Sequence, residues 1–453
     1  MRLKWLSLLA VVILTTSSAK SSEITFRNVT LINSAGEEIV RLSSSSSLKE
    51  NLPDERLDIV VINGNIPILF EDSIANISTI KQLRFLENGI EEIRSGAFKN
   101  LTGVQSLDIS YSILVTLKNN TFRNLTVEEL SVEHSGVTKI ELCAFNYLPK
   151  LHTLSLLFNN LQTLEEEIFN NLSNLQNLEL SFNFIRHFPD NIFKKIPKLK
   201  SVFIRNNKIE QLSQNAFRSN TLSYLDLSGN RIATITEGAF NDLPRLSSLI
   251  LSFNHLTKIT EGVFTGQSLN HVILSHNKIS SVTSGAFKTL SHLEKLSLEF
   301  NRLTLINPQW FQNLINLHQL NFGHNRIREI PDKAFRDIQN DNNKRMDLSH
   351  NRINNISSYA FSGLKFLDTL DLSYNEIENW DVTLLADVER IRHLNLFQNK
   401  IKCPEGNFHK IFKARFTYLG FNLLTPHCLR KIVDWRLLES RRHVVCTKPC
   451  SLS

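Results

Sequence analysis

The chain has 453 residues, 42% of them hydrophobic and 21% charged, with a net charge of +7. Those proportions exclude a disordered or collagen-like chain, and 29 phenylalanines against 2 methionines indicate a core that keeps selecting the same large residue. The basicity is local: residues 400–453 hold 11 Lys/Arg and 3 Asp/Glu, a balance of +8, so the remainder sits near −1 and no nucleic-acid groove is expected.

At the start, Arg2 and Lys4 precede an apolar run from Trp5 to Leu14, and Ser17 and Ala19 take the small-residue places of a cleavage site. This predicts a secretory signal over 1–19, since the run is too short to span a bilayer. No second spanning stretch follows and no hydrophobic tail marks a lipid anchor, so a secreted, extracellular protein without a transmembrane anchor is expected. Seven Asn-x-Ser/Thr sequons, at Asn28, Asn76, Asn100, Asn119, Asn124, Asn171 and Asn355, fit that route. An N-terminal cap is expected over 20–56, beginning with EITFRNVTL and carrying Ser43–Ser47 as an exposed loop.

From residue 57 to 402 the pattern LxxLxLxxN recurs with a period of 23 or 24. Its anchors fall at Asn65, Asn88, Ser112, Ser135, Asn159, Asn183, Asn207, Asn230, Asn254, Asn277, Asn301, Asn325, Asn351, Asn375 and Asn399, which makes fifteen repeats. One step, from Asn325 to Asn351, is longer at 26, and QNDNNKR reads as a surface insertion there. Around LxL the side chains alternate, which predicts one short strand per repeat with its leucines turned inward. The anchor amide can pair backbone groups that burial would otherwise strand. Phenylalanines from Phe98 to Phe361 recur behind the strands as a second inner column.

This pattern resembles the extracellular class of the leucine-rich repeat family, as in Toll ectodomains, Slit and the acid-labile carrier subunit. The resemblance implies an α/β solenoid, a horseshoe of about fifteen repeats with a concave parallel β-sheet. A solenoid needs shielded ends. At the C-terminal end, 403–453 is expected to be a disulfide-stapled cap whose IVDWRLL forms a short amphipathic helix. Family members often staple the N-terminal end too, and this chain has no cysteine there.

The variable positions around LxL are the exposed concave ones. They hold Glu87, Asp108, Glu129, Glu133, Glu179, Asp226, Glu299, Asp347 and Asp371 against Arg84, Arg205, Lys295 and Arg345. An acidic face favours a partner presenting cations, and the basic cap an anionic glycan; the same charges also suit a merely solvated sheet. Just before each anchor stands an aromatic column that includes Phe158, Phe182, Phe253, His276, Phe300, His324 and His350. Rigid aromatic rings supply binding hot spots, although LSYN and LSHN are also common spellings of this repeat. The candidate ligand-binding set is therefore Glu129, Glu133, Phe158, Glu179, Phe182, Arg205, Asp226, Phe253, His276, Phe300, His324 and His350. His324 and His350 are neighbours, but no third ligand stands at metal spacing. No GxSxG, phosphate loop, HExxH or dinucleotide signature is present, so no catalytic residue, cofactor or metal is expected. The function expected is recognition of an extracellular protein ligand, with innate immune recognition or ligand carriage suggested by the resemblance; the alternative is a matrix or adhesion protein held to anionic glycans by its cap.

Asn76, Asn100, Asn124 and Asn171 share one column of the repeat, and Tyr147 fills its gap. Four cysteines, Cys403, Cys428, Cys446 and Cys450, lie in the cap, where three pairings are open. Cys143 is left over. It aligns with solvent-favouring residues, so a free thiol near the back surface, an intermolecular disulfide and a bond to the cap all remain open, with Asn119 close enough for a glycan to cover it. Ser112 and Ser135 replace the anchor amide in two adjacent repeats, which predicts a softer stretch.

Overall fold

The computed structural model describes residues 25–438 and 443–445, apart from 50–51, 53–55, 87, 215–216, 266–267, 339–343 and 405. The expected signal, Glu87, most of the QNDNNKR insertion, Cys446 and Cys450 lie outside the described residues. The chain forms two compact units: the first ends at Arg231 and adds Asp242–Pro244, and the second holds Ile232–Asn241 and the chain from Arg245 onward. The fold is a parallel-strand solenoid of about fifteen turns.

In the first unit, β1 (Phe26–Ile32) pairs antiparallel with β2 (Glu38–Ser45) and with β3 (Leu57–Asn63), and β3 starts the parallel array by pairing with Ile80–Leu86. The turn between β1 and β2 is tied by Asn33, whose Oδ1 accepts from the Ala35 and Glu37 N–H groups at 2.8 and 3.1 Å. Phe26, Val29 and Leu31 are fully buried, so an apolar strand face shields this end where family members use cysteines. The serine run differs from the expected exposed loop: Ser43–Ser45 belong to β2, and Ser44 and Ser45 pair with Arg27 and Phe26. In-register strands then follow at Ser106–Asp108, Glu129–Ser131, Thr153–Ser155, Asn177–Glu179, Ser201–Phe203 and Tyr224–Asp226.

The second unit repeats the scheme from Ser248–Ile250 through His271–Ile273, Lys295–Ser297, Gln319–Asn321, Lys344–Asp347, Phe366–Asp371 and Arg390–Asn395. The array continues past residue 402, with Phe416–Tyr418 and His443–Val445 adding two more parallel strands. Behind the strands the expected phenylalanine column is present in both units. Phe98, Phe122 and Phe145 stack at 6.0 and 5.9 Å, and Phe240, Phe264 and Phe287 at 6.4 and 5.9 Å. The back of each turn is made of turns and two-residue strands. Helix is present as a 3-10 turn at Pro308–Phe311, α1 (Phe408–Ile411) and α2 (Pro426–Leu438).

The anchor amides bond as their chemistry requires. Asn301 Nδ2 donates to the carbonyls of Leu274 and Leu298 at 2.9 and 3.0 Å, and its Oδ1 accepts from the Ile279 N–H at 2.9 Å. One side chain thus satisfies buried groups on two successive turns. Asn159, Asn183, Asn207 and Asn230 do the same in the first unit, as do Asn277 to Asn399 in the second. Asn422 extends the ladder by one further turn, donating to Leu396 and Leu419. Asn65, by contrast, is exposed. Where serines replace the amide, Ser135 Oγ accepts from the Ser112 N–H at 3.2 Å and donates to the Ile109 and Glu133 carbonyls.

In the cap, Cys403 is bonded to Cys428, which is fully buried in α2. The expected IVDWRLL helix lies within α2, where Trp435 packs against Phe408 and Phe412 at 6.0 and 5.8 Å. Lys413 is spent internally: its Nζ donates to the carbonyls of Leu385, Ala386 and Val388 at 2.8, 2.8 and 3.1 Å.

If the amide ladder holds the turns together, Asn301→Ala strands one buried N–H and two buried carbonyls and lowers the unfolding free energy by about 2–4 kcal/mol. Asn65→Ala changes it by less than about 0.5 kcal/mol. Urea denaturation followed by circular dichroism checks both, and equal losses would show that the buried bonds are not what distinguishes the two sites.

Candidate binding face

Each strand presents alternate side chains on the open side of the sheet, and the structure divides the expected acidic residues by what they touch. Asp108, Asp226, Asp347 and Asp371 each accept a hydrogen bond from the N–H two residues on, belonging to Ser110, Ser228, Ser349 and Ser373, at 2.9–3.1 Å. Glu179 does this for Ser181 at 2.9 Å, and the neutral Asn321 and Asn395 do it for Gly323 and Phe397. These N–H groups lie where the chain leaves the strand, and an acceptor there satisfies them. The LDLS spelling therefore has a structural cause. Burial pushes the Asp108 carboxyl up against the hydrogen bonds from Ser110.

In the first unit the remaining carboxylate oxygens are largely engaged. Arg205 donates to Glu179 at 3.2 Å, stands 3.9 Å from Asp226 and lies over the Phe203 ring at 5.2 Å. Asp226 is only 4% exposed, so it braces Arg205 and Ser228 and does not present charge to a partner. Glu133 accepts from Ser155 Oγ at 2.5 Å. Among the described residues, Glu129 is the expected glutamate that is exposed on its strand and makes no such bond.

The sheet of the second unit carries both charges, with Lys295 and Arg345 among the basic residues expected on an otherwise acidic face. Lys295, Gln319, Arg345, Asp347, Asp368 and Arg392 line a depression of about 550 Å³. Asp368 accepts from Arg345 at 2.9 Å and stands 3.6 Å from Arg392. Although burial pushes its carboxyl up, the hydrogen bonds and charges of Arg345, Thr369 and Arg392 hold it below the usual carboxylate range. Asp368 and Arg392 were outside the expected set because the strands here are longer. Phe366–Asp371 and Arg390–Asn395 each have six residues against three in most turns, so the sheet face reaches back to include them.

The aromatic column is a continuous stack within each unit. Tyr111, His134, Phe158 and Phe182 lie 4.7, 4.3 and 4.2 Å apart. Phe253, His276, Phe300, His324, His350 and Tyr374 follow in the second unit at 3.9–4.2 Å, with planes within about 10°. Every one of these residues has φ between 50° and 57°, in the left-handed region. That conformation costs a non-glycine residue roughly 1–2 kcal/mol, and a stacked aromatic pair returns about 0.5–1.5 kcal/mol. The two are of one size, so stacking offsets the strain that the turn imposes. Most ring faces are consequently covered, and what the column offers outward is ring edge. His324 and His350 stack at 4.0 Å, and among the described residues no third His, Cys, Asp or Glu converges on them to hold a metal.

The seven sequon asparagines are all exposed; Asn28 lies within strand β1, and the other six lie off the strands of the main sheet. Asn76, Asn100 and Asn124 share φ of 56°, 52° and 60°, a region that asparagine tolerates well, and Tyr147 holds 57° in the gap of their column. The turn geometry thus favours asparagine there independently of any glycan. Tyr147 is 64% exposed and stacks on Arg123 at 5.9 Å. Beside it, Cys143 is a half-buried free thiol whose N–H donates to Asn119 Oδ1 at 3.1 Å, so the residue expected to shield it is in contact with its backbone.

The BspA type Leucine rich repeat region matches in six copies across 68–342, and a further Leucine rich repeat model matches 342–401. Rat osteomodulin is 30% identical over 99 residues, which cover 21% of this chain and 22% of osteomodulin, so the chain spans about a fifth of that relative's length. The Drosophila Toll–Spatzle complex superposes with a TM-score of 0.60 at 20% identity over 88% of this chain and 56% of that one. The LRIM1/APL1C complex does so with 0.59 at 22% identity, over 84% and 66%. At these identities the likeness shows the fold. Among the described residues no helix is long and apolar enough to cross a membrane.

The stack gives an acid-side prediction. His324 lies below the usual histidine value because burial, and then the charge of His350, penalise its cation against the pull of Asp347 and Glu299. The folded state therefore binds this proton less readily than the unfolded chain. Its stabilising contribution is complete above the ordinary value of 6.5 and is lost as pH falls through the folded value. His324→Phe keeps the stack and removes the proton, so the unfolding midpoint should fall less steeply from about pH 7 to pH 5 than in the wild type. Identical slopes would assign the acid sensitivity to other groups.

Proposed function

The chain belongs to the leucine-rich repeat family, and we propose that it is a secreted, non-enzymatic binding protein that takes an extracellular protein onto the open face of its sheet. The observation carrying this reading is the separation of surfaces: the six sequon asparagines of the repeats lie off the main sheet and Asn28 lies at its first end, in β1, while the sheet face of the repeats keeps exposed, unbonded polar side chains such as Glu129 and Lys295. Glycans at the expected positions would crowd the back and flanks and leave the sheet open. A disulfide in the cap and a signal-like N-terminus support the secretory route. The Toll–Spatzle and LRIM1/APL1C structures are complexes by name, and a protein partner for this chain extends that precedent. Innate immune recognition or ligand carriage remains the process this reading favours.

Because Glu133, Glu179 and Asp226 are tied into the fold, a test that reverses them would confuse binding with stability. Glu129→Lys and Lys295→Glu are the cleaner changes. Capture from the native extracellular fluid, with mass spectrometry of what is retained, should recover a specific partner on the wild type. One of the two reversals should weaken its retention by about tenfold, while Glu165→Lys on the back should not. Full retention by both sheet variants would move the partner off the sheet. The matrix alternative, with anionic glycans at the basic cap, requires that reversal of Arg441 and Arg442, which lie outside the described residues, shift elution from heparin.

A further inference from the structure

The residue directly after each anchor asparagine has one structural duty, and it belongs to the backbone. The N–H groups of Lys278, Arg302, Arg326 and Arg352 donate to the carbonyls of Leu256, Ile279, Leu303 and Ile327 at 2.8–2.9 Å. Their side chains are free of any such role, and in the first unit the same place is filled by residues as different as Gly136, Asn160 and Phe184 before it turns basic at Lys208 and Arg231. The fold therefore does not dictate a cation there. Yet five consecutive turns of the second unit carry His255, Lys278, Arg302, Arg326 and Arg352 at this place.

The row is accessible and uncompensated. Arg302, Arg326 and Arg352 are exposed and Lys278 is half-buried. Among the described residues none of these four stands in an ion pair, whereas other cations of the same unit are matched: Lys288 with Glu261, Arg345 with Asp368, Lys400 with Glu376 and Lys402 with Glu378. The next turn ends the row with Glu376, which Lys400 holds. Successive turns repeat at about 4.8 Å, so the three steps from Lys278 to Arg352 give a line of positive charge about 14 Å long, with His255 one turn further on. Beside it runs the aromatic stack, and a shallow depression of about 490 Å³ lies between them, lined by Phe253, His276, Phe300, Arg302, His324 and Arg326. Guanidinium groups bind planar or tetrahedral oxyanions through paired N–H donors.

We propose that this flank of the second unit binds a linear sulfated glycan laid along the row, crossing the turns one after another. A polymer with repeated anions along its length matches cations repeated at constant rise, and the extracellular route makes sulfated glycans the polyanion the protein meets. The site differs from the basic cap in position and in its regular spacing, and it stands apart from the protein-binding sheet face.

The test uses the full glycosylated chain on immobilised heparin, with selectively desulfated heparin and polyglutamate as soluble competitors. The triple variant Arg302→Ser/Arg326→Ser/Arg352→Ser should bind at least about tenfold more weakly, with the slope of log affinity against log salt shallower by about two to three. Its thermal midpoint should match the wild type, because the three side chains make no bond among the described residues. Arg441→Glu/Arg442→Glu should retain the wild-type affinity. The proposal is overturned if wild type is not retained, if the triple variant elutes with wild type, if only the cap variant loses binding, or if desulfated heparin or polyglutamate competes as well as heparin.

Discussion

The structure depends on one bonding arrangement: an asparagine amide at the strand exit that serves buried backbone groups of two successive turns. A solenoid turn leaves the strand abruptly, and its carbonyls and N–H groups there are out of reach of water and of a sheet partner. Asn301 shows the solution, with Nδ2 on Leu274 and Leu298 and Oδ1 on Ile279. Stacked leucines and phenylalanines supply the burial, and in most turns this amide is what satisfies the sharp exit in a dry interior.

The same exit explains features that look functional in isolation. The residue before the anchor is forced to positive φ, and aromatic stacking along the column offsets that strain. The carboxylate four residues before the anchor holds an N–H of the exit, as Asp347 does for Ser349. Both columns are parts of the turn before they are surfaces for a partner. The side chains left over for recognition are those with no such duty: Glu129 and Lys295 on the sheet, and the cation row beside the stack.

Period and residue type made the strands, the inner phenylalanine column, the amide ladder and helix α2 legible in the sequence, because each rests on a local pattern that recurs. What was not legible depends on neighbours. Glu129 takes the first and Asp226 the third place of their strands, both read from the sequence as open-face positions, but only the structure shows Asp226 buried beside Arg205. Asn422 was hidden because its strand has Thr417 where the repeat has leucine, and the serine run was misplaced because β2 continues through Ser45. Four cysteines admit three pairings until geometry brings Cys403 and Cys428 together. The cation row was in plain view at the position after the anchor, outside the strand columns to which a binding surface is usually assigned.

The most direct measurement of the central claim is amide hydrogen exchange on the intact protein, followed residue by residue through the first unit. If the amide ladder governs local opening, the N–H groups of Val137, Leu161 and Ile185, which donate to anchor side chains at 3.0–3.1 Å, exchange slowly. Leu114, whose turn meets Ser135 in place of an anchor amide, should exchange at least about tenfold faster. Equal protection at Leu114 and at those three sites would contradict the account and place the cohesion of the turns in the packed core alone.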